Sequence, residues 1–406
     1  MSSLLIHNIG MLASPEGCEA RRGAAQGQIR VLENAWIYTE NGEIISYGDG
    51  TPPVSFAEKL DAGGRLVTPG LVDAHTHLIF GGWRQNELAM KIRNVPYLEI
   101  LAAGGGILST LKATRVATEA ELFHKASAAL DEMLAFGTTT CEAKSGYGLN
   151  EADELKQLRV IQKLNDSHPI DVVSTFMGAH ALPPEFKENR NAYLDLLCEK
   201  LIPEVAAQKL AKFCDVFCET GVFTAEESRR VLEAGRKFGL TPKIHADEID
   251  PIGGSQLAGE LGAISAEHLI VCPDEGIQSM SKGGTIACLL PATSFYLNST
   301  YAPARKMIEA GVPVAMASDF NPGSCPCLNL QLVMNLGCLK YRMTPEEVLS
   351  AVTLNAAAAI GMADKVGSID RGKQADLVIW EAPDLNYLCY RLGSNLVYQV
   401  LKKGKK

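Results

Sequence analysis

The chain has 406 residues, 47% hydrophobic and 21% charged, which excludes a disordered, collagenous or coiled-coil protein. Thirty-eight basic against 47 acidic residues leave a formal charge of −9, which argues against nucleic acid or an anionic membrane as a partner. Length alone allows two or three domains at about 150 residues each, although one barrel can take about 250.

The first 20 residues carry no basic stretch followed by a continuous apolar core, and no apolar run approaches the ~18 residues of a membrane span. A cytoplasmic location is therefore expected. Eleven cysteines, scattered through apolar runs, read mostly as buried thiols in a reducing compartment. The closing Lys402, Lys403, Lys405 and Lys406 read as a solvated tail.

Residues 1–65 read as short strands and turns. Segments 4–9, 29–32, 35–39 and 44–47 are apolar and separated by Gly, Asn and Asp, with Asn41-Gly42 a hairpin signal. Further on, strands are expected at 67–79, 138–143, 171–179, 214–219, 242–246, 263–268, 284–290 and 312–318. Helical patterns intervene. Thr118-Glu-Ala-Glu121, Thr224-Ala-Glu-Glu227 and Thr344-Pro-Glu-Glu347 are capping boxes, the last with Pro345 at the first helical position. Eight strands alternating with helices is the count expected of a (β/α)8 barrel, although an open doubly wound sheet has the same alternation. Strand-like segments return at 375–380 and 396–401, so the two ends together suggest a second, smaller β domain.

The chain has eight histidines, and their placement is informative. His75 and His77 sit two apart, so on an extended chain both imidazoles face one space and can converge on a first-row metal ion. A pair of hydrogen-bonded core histidines is the alternative. His180, His245 and His268 close three further strand segments, and Asp319 follows the eighth. In a barrel these ends meet at one face, where active sites are built. An Asp ending an apolar strand is costly unless it meets a cation or hydrogen-bond donors. Glu248, three residues beyond His245, can move a proton between water and a leaving nitrogen, or can be a plain loop acid. A divalent ion held by imidazoles and one carboxylate keeps room for water and lowers its pKa toward neutrality. Hydrolysis of a C–N or C=N bond of a small molecule is the chemistry this implies.

At Thr68-Pro-Gly-Leu-Val-Asp-Ala-His-Thr-His77, His245, Asp319 and Gly367-Ser-Ile-Asp-Arg-Gly-Lys-Gln-Ala-Asp-Leu-Val378, the sequence resembles the amidohydrolase superfamily. The resemblance implies an α/β protein: a metal-dependent (β/α)8 TIM-like barrel at 66–360, with a small β-sandwich formed by 1–65 and 361–406. Further segments are similar to the branch that hydrolyses 4-imidazolone-5-propanoate to N-formimidoyl-L-glutamate in histidine degradation. They are Phe80-Gly-Gly-Trp-Arg84, Ala103-Gly-Gly-Gly-Ile107, Lys144-Ser-Gly-Tyr-Gly148, Met177-Gly-Ala-His180, His245-Ala-Asp-Glu248 and Asp319-Phe-Asn-Pro-Gly-Ser324.

That resemblance implies His75, His77, His245 and Asp319 as ligands of one Zn²⁺ or Fe ion per subunit. It implies His268 beside the attacking water and Glu248 as proton shuttle, with Asp319 also counted in catalysis. Arg84 would meet the substrate carboxylate, with Tyr147 and His180 around carboxylate and ring. Asn321, Gly323, Ser324 and Tyr97 would add further contacts, and Glu248 would touch the ring. A homodimer is implied. Other members carbamylate a strand lysine to bridge two ions, whereas a single-ion site implies an unmodified Lys144.

Two other readings compete. A superfamily aminohydrolase would use the same ligands to deaminate a purine or pyrimidine, but Arg84 and the 144–148 loop favour a substrate with an acidic arm. A non-catalytic scaffold would be expected to lack part of the ligand set, and this chain has all of it.

Overall fold

Strand β1 (Ser3–Ser14) runs through the centre of the smaller unit. The computed structural model describes residues 3–52, 58–93, 95, 99 and 104–406. One edge of β1 pairs antiparallel with β2 (Arg30–Glu40), which turns at Asn41-Gly42 into β3 (Glu43–Asp49). Its other edge is shared in succession by β4 (Glu58–Asp61) and β5 (Leu66–Pro69), both parallel to it. From the far end of the chain, β14 (Leu377–Trp380) pairs with β5, and β15 (Val397–Leu401) pairs with β14. The ends of the chain thus form one seven-stranded mixed sheet. Its inward residues, among them Ile6, Ile9, Ile37, Ile44, Val67, Leu377 and Leu401, form a separate apolar cluster.

The segment 67–79 is not one strand. Leu66–Pro69 belongs to the mixed sheet, and the chain crosses at Gly70 into β6 (Leu71–Asp73) of the second sheet. A side chain is excluded there, because a Cβ on Gly70 would lie 2.2 Å from Thr139 Oγ1. His75 and His77 follow β6 in an irregular extended segment. The alternation of apolar residues across Gly70 gave no sign of the change of sheet.

The second sheet is wholly parallel. It runs from β6 through β7 (Thr138–Lys144), β8 (Asp171–Ala179), β9 (Phe213–Cys218), β10 (Thr241–Ala246), β11 (Ser265–His268) and β12 (Ile286–Leu289) to β13 (Val314–Met316). Helices return the chain between neighbours, and the three expected capping boxes open Glu119–Ala135, Ala225–Lys237 and Pro345–Ala351. Closure occurs just beyond the named strands. Ser318 N donates to Asp73 Oδ1 at 3.0 Å, Asp319 N to the His75 carbonyl at 3.0 Å, and His77 N to the Phe320 carbonyl at 2.8 Å. These bonds join the two ends of the sheet, which rules out the open doubly wound arrangement.

The C-terminal lysines are not all a solvated tail. Lys402 is only 9% exposed and its Nζ lies 2.7 Å from Asp171 Oδ2, with Asp376 as a second partner. Lys403 Nζ reaches Asp171 Oδ1 at 2.9 Å. Asp171 opens β8 of the barrel and Asp376 precedes β14, so Lys402 ties the two units together. Among the described residues, no helix is long and apolar enough to cross a membrane.

Candidate metal centre and active site

His75, His77, His180, His245, His268 and Asp319 all lie at the C-terminal ends of the parallel strands, as the strand count implied, and all are buried. His268 (φ 68°) and Asp319 (φ 55°) both adopt the left-handed conformation. Non-glycine residues held there cost on the order of 1–3 kcal/mol, a strain found most often at functional sites. Each turn swings a side chain inward at the mouth of the barrel.

Four of these side chains converge. His75 Nε2 lies 3.5 Å and His77 Nε2 3.7 Å from Asp319 Oδ1, and His245 Nε2 lies 3.4 Å from His77 Nε2. Two triads, His75–His77–His245 and His75–His268–Asp319, each bring their ligand atoms within 4.8 Å of one another. His75 Nε2 and Asp319 Oδ1 are buried and, among the described residues, without a hydrogen-bond partner. Asp319 Oδ2 accepts from Thr293 Oγ1 at 2.6 Å, which aims the other oxygen at the histidines. Burial lowers the pKa of His75 and His77 well below the ordinary histidine value, so both are neutral at pH 7 and carry lone pairs.

The buried carboxylates behind the histidines went unread in the sequence. His75 Nδ1 contacts Glu267 Oε2 at 3.0 Å, and His245 Nδ1 contacts Asp215 Oδ1 at 3.1 Å. Each carboxylate fixes the proton on Nδ1 and leaves Nε2 free to ligate, the usual arrangement behind a metal-bound histidine. The acids are held in turn by lysines. Lys144 Nζ lies 2.6 Å from Glu142 Oε1 and 2.8 Å from Asp215 Oδ2, and Lys243 Nζ lies 3.2 Å from Glu267 Oε1. Burial opposes the charge on Lys144, but Asp215 and Glu142 hold its pKa above the ordinary lysine value. An ammonium so paired cannot act as the neutral amine that carbamylation needs.

Lys144, Lys243, Glu142, Asp215, Glu267 and Asp319 are all fully or almost fully buried. The orphaned Nε2 and Oδ1 atoms and the tautomers fixed on His75 and His245 fit a metal ion held by His75, His77, His245 and Asp319.

The remaining expected residues surround that centre. His180 stacks on His77 with ring centroids 4.8 Å apart, and Tyr147 lies 5.1 Å from His180. Burial, aided by His245, lowers His180 to about 3. The loop carrying Tyr147 is shaped by Glu154, whose Oε1 accepts from the amides of Gly146, Gly148 and Leu149. His268 Nδ1 lies 3.7 Å from Glu248 Oε1. Burial raises the Glu248 carboxyl to about 7 and lowers His268 to about 4.

Arg84 is nearly buried and lies against the 319–324 loop, since a Cβ on Gly323 would sit 2.2 Å from Arg84 Nη1. Asn321 is drawn into that loop. Its Nδ2 donates to the Asp319 carbonyl and to Ser324 Oγ, while its Oδ1 accepts from the amides of Gly323 and Ser324. Asn321 therefore shapes the loop that presents Gly323 and Ser324. Tyr97 lies outside the described residues.

Comparison with known proteins agrees with this architecture. The amidohydrolase family model matches residues 66–406. The imidazolonepropionase of Alkaliphilus metalliredigens is 52% identical over 412 residues, covering 100% of this chain and 98% of that protein. The imidazolonepropionase of Brevibacillus brevis is 53% identical over 392 residues, covering 94% of this chain and 92% of its own. Among solved structures, atrazine chlorohydrolase from Arthrobacter aurescens TC1, complexed with zinc, superposes with a TM-score of 0.71 at 16% identity. That match covers 99% of this chain and 94% of the other, and it speaks to the fold alone. With a barrel whose mouth gathers three histidines and an aspartate, and with relatives matching along its whole length, the chain belongs to the amidohydrolase family.

Proposed function

We propose that this chain hydrolyses the cyclic amide C–N bond of 4-imidazolone-5-propanoate, giving N-formimidoyl-L-glutamate. The observation that carries the reading is the pairing of near-full-length imidazolonepropionase relatives with orphaned ligand atoms on His75 and Asp319. In this reading His75, His77, His245 and Asp319 hold one Zn²⁺ or Fe ion per subunit. When bound, such an ion supplies positive charge that lowers the pKa of water and offsets charge developing on a carbonyl oxygen.

The chain's own residues do the rest. His268 is neutral at pH 7 and its Nδ1 accepts a proton from the attacking water. Glu248, with its carboxyl raised to about 7, holds a proton at neutral pH and delivers it to the departing ring nitrogen. Asp319 orients the water beside the histidines. Arg84 meets the propanoate carboxylate as a planar fork, while Tyr147 and His180 flank the arm and the ring. Gly323 and Ser324 would contact the substrate from a loop whose amides Asn321 holds, and Tyr97 completes the proposed contacts.

The barrel, which begins at Leu71 and not at 66, would be the catalytic unit, and the mixed sheet built from the two ends of the chain, Leu66–Pro69 included, its support. A cytoplasmic homodimer completes the proposal. Purified protein incubated with imidazolone-propanoate is expected to consume its ultraviolet absorbance and release N-formimidoyl-glutamate. Ammonia release from purines or pyrimidines without that turnover would favour a deaminase instead.

A further inference from the structure

Arg84 is the residue expected to meet the substrate's anionic arm, yet two of its nitrogens are already engaged. Nε and Nη2 each donate to Glu87, to Oε1 and Oε2, both at 2.8 Å. Glu87 is 1% exposed. The same Oε1 accepts the Gly106 amide at 2.7 Å, just before helix Ile107–Val116. Lys91 Nζ lies 3.8 Å from the other oxygen and donates to the Gly323 carbonyl. A single buried carboxylate thus joins Arg84, the start of one helix and, through Lys91, the loop carrying Gly323 and Ser324. Burial pushes the Glu87 carboxyl up, but its bonds to Arg84 and Gly106 outweigh that and keep it ionised below the usual range.

A free arginine side chain loses rotamer entropy when it is fixed on a ligand. A guanidinium already clamped along one edge has lost much of that freedom before substrate arrives, and its plane is set.

We propose that Glu87 is a positioning residue that presets Arg84 for the substrate carboxylate, so selectivity for the acidic arm depends on a residue that does not touch it. This inference rests on the proposed role of Arg84. The test uses full-length metal-loaded protein and two compounds: imidazolone-propanoate, and the same ring with an ethyl group in place of the propanoate arm.

For Glu87→Gln, KM for the propanoate compound is expected to rise at least tenfold with kcat changed less than threefold, while kcat/KM for the ethyl compound stays within threefold of wild type. Glu87→Asp, which keeps the charge and shortens the reach, should show the same selective loss and serves if Glu87→Gln accumulates poorly. Equal losses on both compounds, or no loss on either, would overturn the proposal. A wild-type protein that turns over both compounds equally would overturn the role of Arg84 itself, and the inference with it.

Discussion

Asp319 donates its amide to the His75 carbonyl at 3.0 Å, and its Oδ1 lies 3.5 Å from Nε2 of the same histidine. One of the bonds that close the barrel between its first and last strands therefore also brings two candidate ligands together. Folding and site assembly are one event at this point. The left-handed conformation of Asp319 is what allows backbone and side chain to reach the same residue.

Removing the ligand oxygen while keeping the shape should separate these roles. Asp319→Asn can retain the backbone bond to His75 and the contact with Thr293, so the fold is expected to persist by circular dichroism. Metal content, measured by elemental analysis after dialysis, should fall below a tenth of the wild-type value. Activity should drop by about a hundredfold or more, beyond the loss typical of residues behind the ligands.

The carboxylates behind the histidines should tune affinity without holding the ion. Asp215→Asn and Glu267→Gln remove the charge that fixes His245 and His75. Each should weaken metal binding by about 10–100-fold, read by competition with a chromogenic chelator. Asp215→Asn also leaves Lys144 with one carboxylate partner. Loss of a fully buried ion pair should lower unfolding free energy by about 3–5 kcal/mol in denaturant titration.

Glu248 sets the expected alkaline limit. Its carboxyl is raised to about 7, so the protonated form persists at neutral pH and is lost as pH rises through that value. If Glu248 donates the proton to the leaving nitrogen, kcat should fall above about pH 7. Glu248→Gln should abolish this limb and most of the turnover while metal content stays unchanged. A near-normal rate in this variant would remove Glu248 from the mechanism.

The tie between the two units predicts a stability effect separate from catalysis. Lys402→Ala leaves Asp376 buried and Asp171 partly buried without their main cation. Unfolding free energy should fall by about 3 kcal/mol, with kcat at 25 °C within twofold of wild type. Equal melting temperatures for the two proteins would show that the interface does not depend on this lysine.

Arg84→Ala should act mainly on binding. Losing a charged hydrogen bond to the carboxylate should cost roughly 1.5–3 kcal/mol in kcat/KM, expressed in KM. An unchanged KM would place the propanoate arm elsewhere.

Much of the centre was legible because its residues break the apolar pattern where strands end: His75, His77, His245 and Asp319 each stand beyond or at the end of an apolar run. The eight parallel strands followed from alternation. Closure did not, because alternation alone cannot show which strands pair, and it rests on backbone bonds from Asp319 and His77 outside the observed strands. Glu142, Asp215 and Glu267 were missed, although a carboxylate inside an apolar strand such as Phe213–Cys218 is itself a signal, since a buried charge must be paired. Lys402 shows the opposite error. A run of lysines at a chain end has the composition of a tail, and only the fold places one of them between two aspartates.

The most direct test joins turnover to metal in one sample. Purified protein should consume imidazolone-propanoate at a rate proportional to its content of zinc or iron, saturating at one ion per chain. Activity should vanish on chelation and return when the ion is restored. A preparation holding one ion per chain that leaves imidazolone-propanoate untouched, or one that consumes it equally well after the metal is stripped, would contradict the account.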